Sequence, residues 1–173
     1  MKKENYIGKI AYEGKFKEDK YEGKGILYYK NGNISYNGTF TNNQFDGYGT
    51  QYYENGEFMY NGTFANGVYE YGTVYYNSGN VFYNGDFVLN QTHGFGILYY
   101  IDGNICYNGT LSKGLLDGYG TFYLYNHIKK FIGYFEDQRI IYGTWFDKED
   151  NPTSGTQKEM FDSIQILLNT FKT

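Results

Sequence analysis

The chain has one proline, one cysteine, one tryptophan and two histidines among 173 residues. So little proline leaves β-ladders open along almost the whole length, because proline removes a ladder donor wherever it enters a strand. Cys106 has no partner for an internal disulfide, and nothing in the sequence calls for an oxidising compartment. His93 sits in a slot that holds an acidic residue elsewhere, and His127 sits in a turn. With Cys106 they build no metal-ligand cluster and no Cys/His nucleophile, so no metal and no cofactor is expected. Carboxylates are scattered over loops and turns and offer no acid/base pair, so no catalytic residue is named. No apolar run approaches the roughly 20 residues of a membrane span. The start, Met1 to Asn5, has no apolar segment for a signal peptide, and Lys2 excludes an N-myristoyl anchor, so the expected location is cytoplasmic.

Cations are missing from one long stretch. Residues 31–112 contain no Lys or Arg and carry charge −6, whereas the first 30 residues hold eight lysines against five acids and carry +3. The rest carries −1, for a total of −4. Nucleic acid is excluded as a partner, since its phosphates need cationic contacts. A solvated terminus is the simplest account of the basic end.

What the chain has in abundance is glycine (24) and tyrosine (23), arranged in a repeat. Tyr36-Asn37-Gly38-Thr39-Phe40 recurs as Tyr12–Phe16, Tyr60–Phe64, Tyr83–Phe87, Tyr107–Leu111 and Phe131–Phe135, at spacings of 23 or 24 residues. Gly47–Tyr53 recurs as Gly23–Tyr29, Gly94–Tyr100 and Gly118–Leu124, with degenerate copies at Glu70–Tyr76 and Ile141–Asp147 that keep only the second glycine. Such a period marks a repeat array. The Asn-x-Thr triplets at Asn37, Asn61 and Asn108 fall out of this repeat and need no glycosylation reading.

Both halves alternate with strand period. Thr41–Asp46 reads as a six-residue hairpin loop, pairing Phe40 with Gly47, Tyr36 with Gln51 and Gly38 with Gly49. Each large ring then shares a face with glycines, and Gly38, Gly62, Gly85 and Gly109 are each expected to face a ring from an adjacent strand. Asn31-Gly32, Asn55-Gly56, Ser78-Gly79 and Asp102-Gly103 read as two-residue hairpin turns. The loop shortens to five residues after Phe64 and Phe135, where the first glycine is also lost, and the two changes are expected to compensate.

The predicted architecture is all-β: an elongated, twisted, single-layer antiparallel meander of tandem hairpins over 1–151, about six repeats, followed by a C-terminal segment 152–173. Tyr6-Ile7-Gly8 looks like a decayed first motif. Met160, Ile164, Leu167, Leu168 and Phe171 fall on one face of a helix over 157–171, and Thr156 with Glu159 fits a capping box. That face needs a cover. Docking near Trp145 at the end of its own sheet is expected first, and homodimerisation through that end second.

The two glycine-aromatic motifs resemble the MORN repeat, whose pattern is YxGxF, a short loop and GxGxxxY, over roughly residues 6–147. The resemblance implies a non-catalytic adaptor at cytoskeletal or membrane-associated structures. The lipid-kinase and methyltransferase domains that accompany such arrays have no room here, so a stand-alone binding module is expected. An aromatic groove receiving a helical or extended protein segment is expected at Tyr36, Phe40, Tyr53, Tyr60, Phe64, Tyr76, Tyr83, Phe87, Tyr100 and Tyr107. The competing reading makes this stripe the core of the fold, and it is expected to hold for most of these residues. The alternative function, recognition of acidic phospholipid, falls to the basic N-terminal end, because the central repeats lack the cations an anionic surface attracts.

Overall fold

The computed structural model describes residues 2–6 and 9–171, with side chains from Ala11 to Leu167 and at Asn169. Ile7 and Gly8 of the decayed motif, and the side chains of Leu168 and Phe171, lie outside the described residues. The chain divides into two compact units, Met1–Gly79 and Asn80–Thr173.

In the first unit seven strands follow one another in chain order, each antiparallel to the next: β1 (Lys2–Tyr6), β2 (Lys9–Lys17), β3 (Lys20–Tyr28), β4 (Ile34–Thr41), β5 (Gln44–Tyr52), β6 (Phe58–Ala65) and β7 (Val68–Tyr75). The second unit continues the pattern with β8 (Val81–Val88), β9 (Gln91–Tyr99), β10 (Ile105–Ser112), β11 (Leu115–Tyr123), β12 (Lys129–Glu136), β13 (Arg139–Asp147) and the short β14 (Pro152–Thr153). It closes with α1 (Gln157–Phe171). Each unit is thus an antiparallel meander of tandem hairpins, and the one helix among the described residues lies near the C-terminus.

The turns differ from the sequence expectation at both ends of the strands. Asn31-Gly32 does not form a two-residue turn. Gly32 N–H donates to the Tyr29 carbonyl (2.9 Å), Tyr29 N–H donates to Asn33 (2.8 Å), and only Gly32 has positive φ, at 96°. This is a turn followed by a left-handed glycine, the three-residue hairpin loop. The two-residue turns with both φ values positive lie at the opposite strand ends, as at Asn42 (51°) and Asn43 (69°).

The supposed six-residue loop therefore contracts. Phe40 pairs with Phe45, not with Gly47, while Tyr36↔Gln51 and Gly38↔Gly49 hold as expected. Gly47, at φ 80°, lies in a bulge that takes up the extra residues. Where the first glycine is missing the bulge shrinks to one residue: Thr63 pairs with Tyr71 and Phe64 with Tyr69, leaving Glu70 between them. Ile141 is left over in the same way between Tyr134↔Tyr142 and Phe135↔Ile140. Shorter loop and lost glycine do compensate, because a one-residue bulge needs no left-handed position there.

The core is built on the close approach of rings to glycine. The Tyr36 ring lies over Gly38 of its own strand and Gly49 of the neighbour; a Cβ on Gly38 would sit 2.6 Å from the ring, and one on Gly49 2.5 Å. For Gly38, Gly62, Gly85 and Gly109 the covering ring comes from two residues earlier on the same strand, not from an adjacent strand as anticipated. Phe45 stacks on Tyr36 at 3.8 Å and 9°, and Phe40 meets it edge-on at 5.0 Å. Tyr12 with Tyr21 and Tyr60 with Tyr69 repeat the stack at 3.8 Å. Each phenol that lies over glycine donates to the backbone three residues on, as from Tyr36 to Thr39 (3.0 Å) and from Tyr60 to Thr63 (2.8 Å). Burial pushes the Tyr36 and Tyr69 hydroxyls up to about 12, so they remain protonated donors at neutral pH.

In the second unit the stacking layer changes. The positions of Tyr21, Phe45 and Tyr69 are taken by Thr92, Leu116 and Ile140, each paired with the matching Phe87, Leu111 or Phe135. The helix takes over the cover. Ile164 and Leu167 face a cavity of about 300 Å³ together with Leu98, Cys106, Leu116 and Phe122. Met160, Ile164 and Leu167 are buried, as is Trp145, whose ring lies against Gly155. Burial pushes the Cys106 thiol up to about 12, so it is a protonated core residue at neutral pH.

The helix N-terminus is tied down at several points. Thr156 and Glu159 form the capping box, with Thr156 N–H to Glu159 at 2.7 Å and Glu159 N–H to Thr156 Oγ1 at 3.2 Å. Glu159 also pairs with Lys129 (2.9 Å), and Gln157 bridges Ile140 N–H (2.6 Å) and the Gln138 carbonyl (3.2 Å). Further along, Tyr125 N–H donates to Ser163 Oγ (3.3 Å). The hydrogen bond from the Lys129 ammonium holds the Glu159 carboxyl below the usual carboxylate range.

Candidate interaction surfaces

Nine of the ten residues expected to line a groove are buried in the structure: Tyr36, Phe40, Tyr60, Phe64, Tyr76, Tyr83, Phe87, Tyr100 and Tyr107. Tyr53 is half-buried, and its hydroxyl donates to the Tyr75 carbonyl (2.8 Å). Tyr100 donates likewise to Tyr123 (2.7 Å). Among the residues expected for helix docking, Trp145, Met160, Ile164 and Leu167 are each buried within the second unit.

Exposed rings lie on the other face. The residue before the second glycine position of each copy points away from the core; it is Lys24 in the first copy, and a ring in the following ones, Tyr48, Tyr71, Phe95, Tyr119 and Tyr142. Each ring is more than half exposed, from 54% to 62%. The tyrosine stripe already satisfied the demand for a core, so sequence reasoning passed over this one. Strand parity was the available signal, because these residues are out of phase with the glycines that lie beneath the buried rings.

In the first unit the Tyr48 hydroxyl donates to Asn61 Oδ1, and Asn61 Nδ2 donates to Thr50 Oγ1 (3.0 Å). The side chains on this face lock one another across strands β5 and β6. The second unit carries a denser cluster. Tyr134 stacks on Tyr142 at 5.5 Å and 5°, Tyr119 meets Tyr134 edge-on at 5.1 Å, and the Tyr119 and Tyr142 hydroxyls are 2.5 Å apart.

Beside this cluster runs a groove of about 510 Å³, lined by Phe95, Asn108, Tyr119, Thr121, Ile132 and Tyr142, with glycines 109, 120, 133 and 143 along it. No Lys, Arg or carboxylate lines the groove among the described residues. Nor do the described residues contain a group of three or more His, Cys, Asp or Glu able to hold a metal ion. None of their helices is long and apolar enough to cross a membrane.

Fold and surface together define a tandem β-hairpin repeat protein with a ring-over-glycine core and an exposed aromatic face. The MORN repeat family model matches residues 12–34, 36–58, 83–105 and 107–128, more than half of the chain, and the chain belongs to the MORN-repeat family. The copies starting at Tyr60 and Phe131 fall outside the matches, and they are the two that lack the first glycine. The MORN repeat is a non-catalytic repeat, involved generally in protein–protein or membrane interactions. No curated protein matches the chain.

Proposed function

We propose that the protein is a non-catalytic adaptor that binds a helical or extended segment of a partner protein along the exposed aromatic face of its repeats. One observation carries this reading: a ring more than half exposed recurs in copy after copy, at Tyr48 and Tyr71 in the first unit and at Phe95, Tyr119 and Tyr142 in the second. Recurrent exposed aromatics on one face mark interaction sites. Successive rings within a unit are two strands apart, about 9.6 Å. That is close to the roughly 10.5 Å between helical residues seven apart and the roughly 10 Å between residues three apart in an extended chain. Family membership supports a place at a cytoskeletal or membrane-associated structure, within the cytoplasm.

The test is quantitative affinity purification from the native cells with wild type and with a Tyr119→Ser/Tyr142→Ser double variant. Proteins retained by wild type and lost by the variant, with the variant's melting unchanged, support the reading. Identical retention by both contradicts it. A parallel assay with vesicles containing acidic phospholipid serves the alternative. Binding there that is lost as salt rises, and is unaffected by the double variant, would assign the interaction to the basic end instead.

A further inference from the structure

We propose that the outer-face groove of the second unit binds an arginine side chain presented by the partner protein; this rests on the adaptor reading above and names the chemistry of one of its contacts. The starting point is a comparison the repeat makes with itself. Asn61 and Asn108 are equivalent positions, and each lies diagonally across from the exposed ring of the preceding strand. In the first unit that ring is Tyr48, whose hydroxyl satisfies Asn61 Oδ1. In the second it is Phe95, which has no hydroxyl to give. Asn108 Oδ1 is buried, and no donor among the described residues reaches it. A buried acceptor without a partner is destabilising, so a donor supplied from outside gains what the fold has left unmade.

The surroundings select the donor. Phe95 and Tyr119 offer aromatic faces on the groove. A guanidinium is planar, donates only, sheds water more readily than an ammonium and lies favourably over aromatic rings. No cation lines the groove among the described residues to repel it, and residues 31–112 carry no Lys or Arg at all. An aliphatic side chain would fill the same space but leave Asn108 Oδ1 unmet.

The probe is N-acetyl-arginine amide, titrated into the full-length, nitrogen-15-labelled protein and followed by NMR. Saturable shifts of the Asn108 side-chain amide and of the Gly109 and Gly120 backbone amides are expected. N-acetyl-leucine amide should bind at least about fivefold more weakly, the loss associated with one hydrogen bond. N-acetyl-lysine amide should also bind more weakly, because its ammonium holds water more tightly and cannot lie flat over a ring. Phe95→Tyr is the decisive variant. Its hydroxyl should reach Asn108 as that of Tyr48 reaches Asn61, raising the melting temperature by about 2–4 °C while weakening arginine binding at least about fivefold. Asn108→Leu should abolish the arginine preference.

Equal shifts in Phe95→Tyr, equal binding of the leucine probe, or no shift at these three residues would each overturn the assignment. None of those results touches the adaptor reading, which fails separately if the Tyr119→Ser/Tyr142→Ser variant keeps every partner.

Discussion

Replacing Gly62 with valine is expected to destabilise the first unit by about 3 kcal/mol or more, at the upper end of the range for overpacked cores. A Cβ at this position would meet the Tyr71 carbonyl oxygen, lie 2.5 Å from the Tyr60 hydroxyl and 2.6 Å from the Gly72 Cα. Two of those three neighbours are backbone atoms of the adjacent strand and cannot swing aside. The third belongs to a ring with no exposed surface, held by hydrogen bonds to Thr63 (2.8 Å) and Tyr71 (2.9 Å). To admit even one methyl group, strands β6 and β7 must part and Tyr60 must leave its stack with Tyr69. Thermal unfolding followed by circular dichroism checks this. A curve that overlays the parent's would refute the ring-over-glycine core.

The second large effect concerns α1. Cutting the chain after Asn151 removes the buried Met160, Ile164 and Leu167, and Gly155 from beneath the Trp145 ring. It takes Ile164 and Leu167 away from the cavity they line with Leu98, Cys106, Leu116 and Phe122. Each lost side chain had about 1.5–3 kcal/mol of burial. The truncated protein is expected to melt at lower temperature and to elute as larger species in size-exclusion chromatography. A milder variant separates cover from chain length: Met160→Ala should cost about 2–5 kcal/mol while leaving the helix in place. Unchanged melting and elution of the truncated chain would mean that the helix does not cover the second unit in solution.

The period of the chain made the fold legible, and glycine chemistry set the limit of that reading. Asn31-Gly32 is a shared signal: it suits a two-residue turn and the end of a three-residue loop equally, and only the bond from Tyr29 N–H to Asn33 decides between them. Asn42 and Asn43 were hidden inside an apparent six-residue loop because the bulge at Gly47 consumes residues without lengthening the turn. For the surface, alternation separates two faces but does not say which one the chain itself covers. Tyr36 and Tyr48 are both tyrosines on alternating strands, and only the packing of Phe45, Phe40 and Phe64 around Tyr36 makes it core. The place where α1 docks did leave a trace. Tyr21, Phe45 and Tyr69 give way to Thr92, Leu116 and Ile140, a loss of ring volume that begins where the helix is needed.

The central claim is that one face of the repeats is closed by the chain's own rings and the other is open to a partner. Limited nitration of tyrosine with tetranitromethane, read by peptide mass spectrometry, tests it directly. The account predicts early modification of Tyr48, Tyr71, Tyr119 and Tyr142, which are 54–62% exposed, with Tyr36, Tyr60, Tyr83 and Tyr107 untouched until the protein unfolds. Equal modification of the two sets in the folded protein would contradict it.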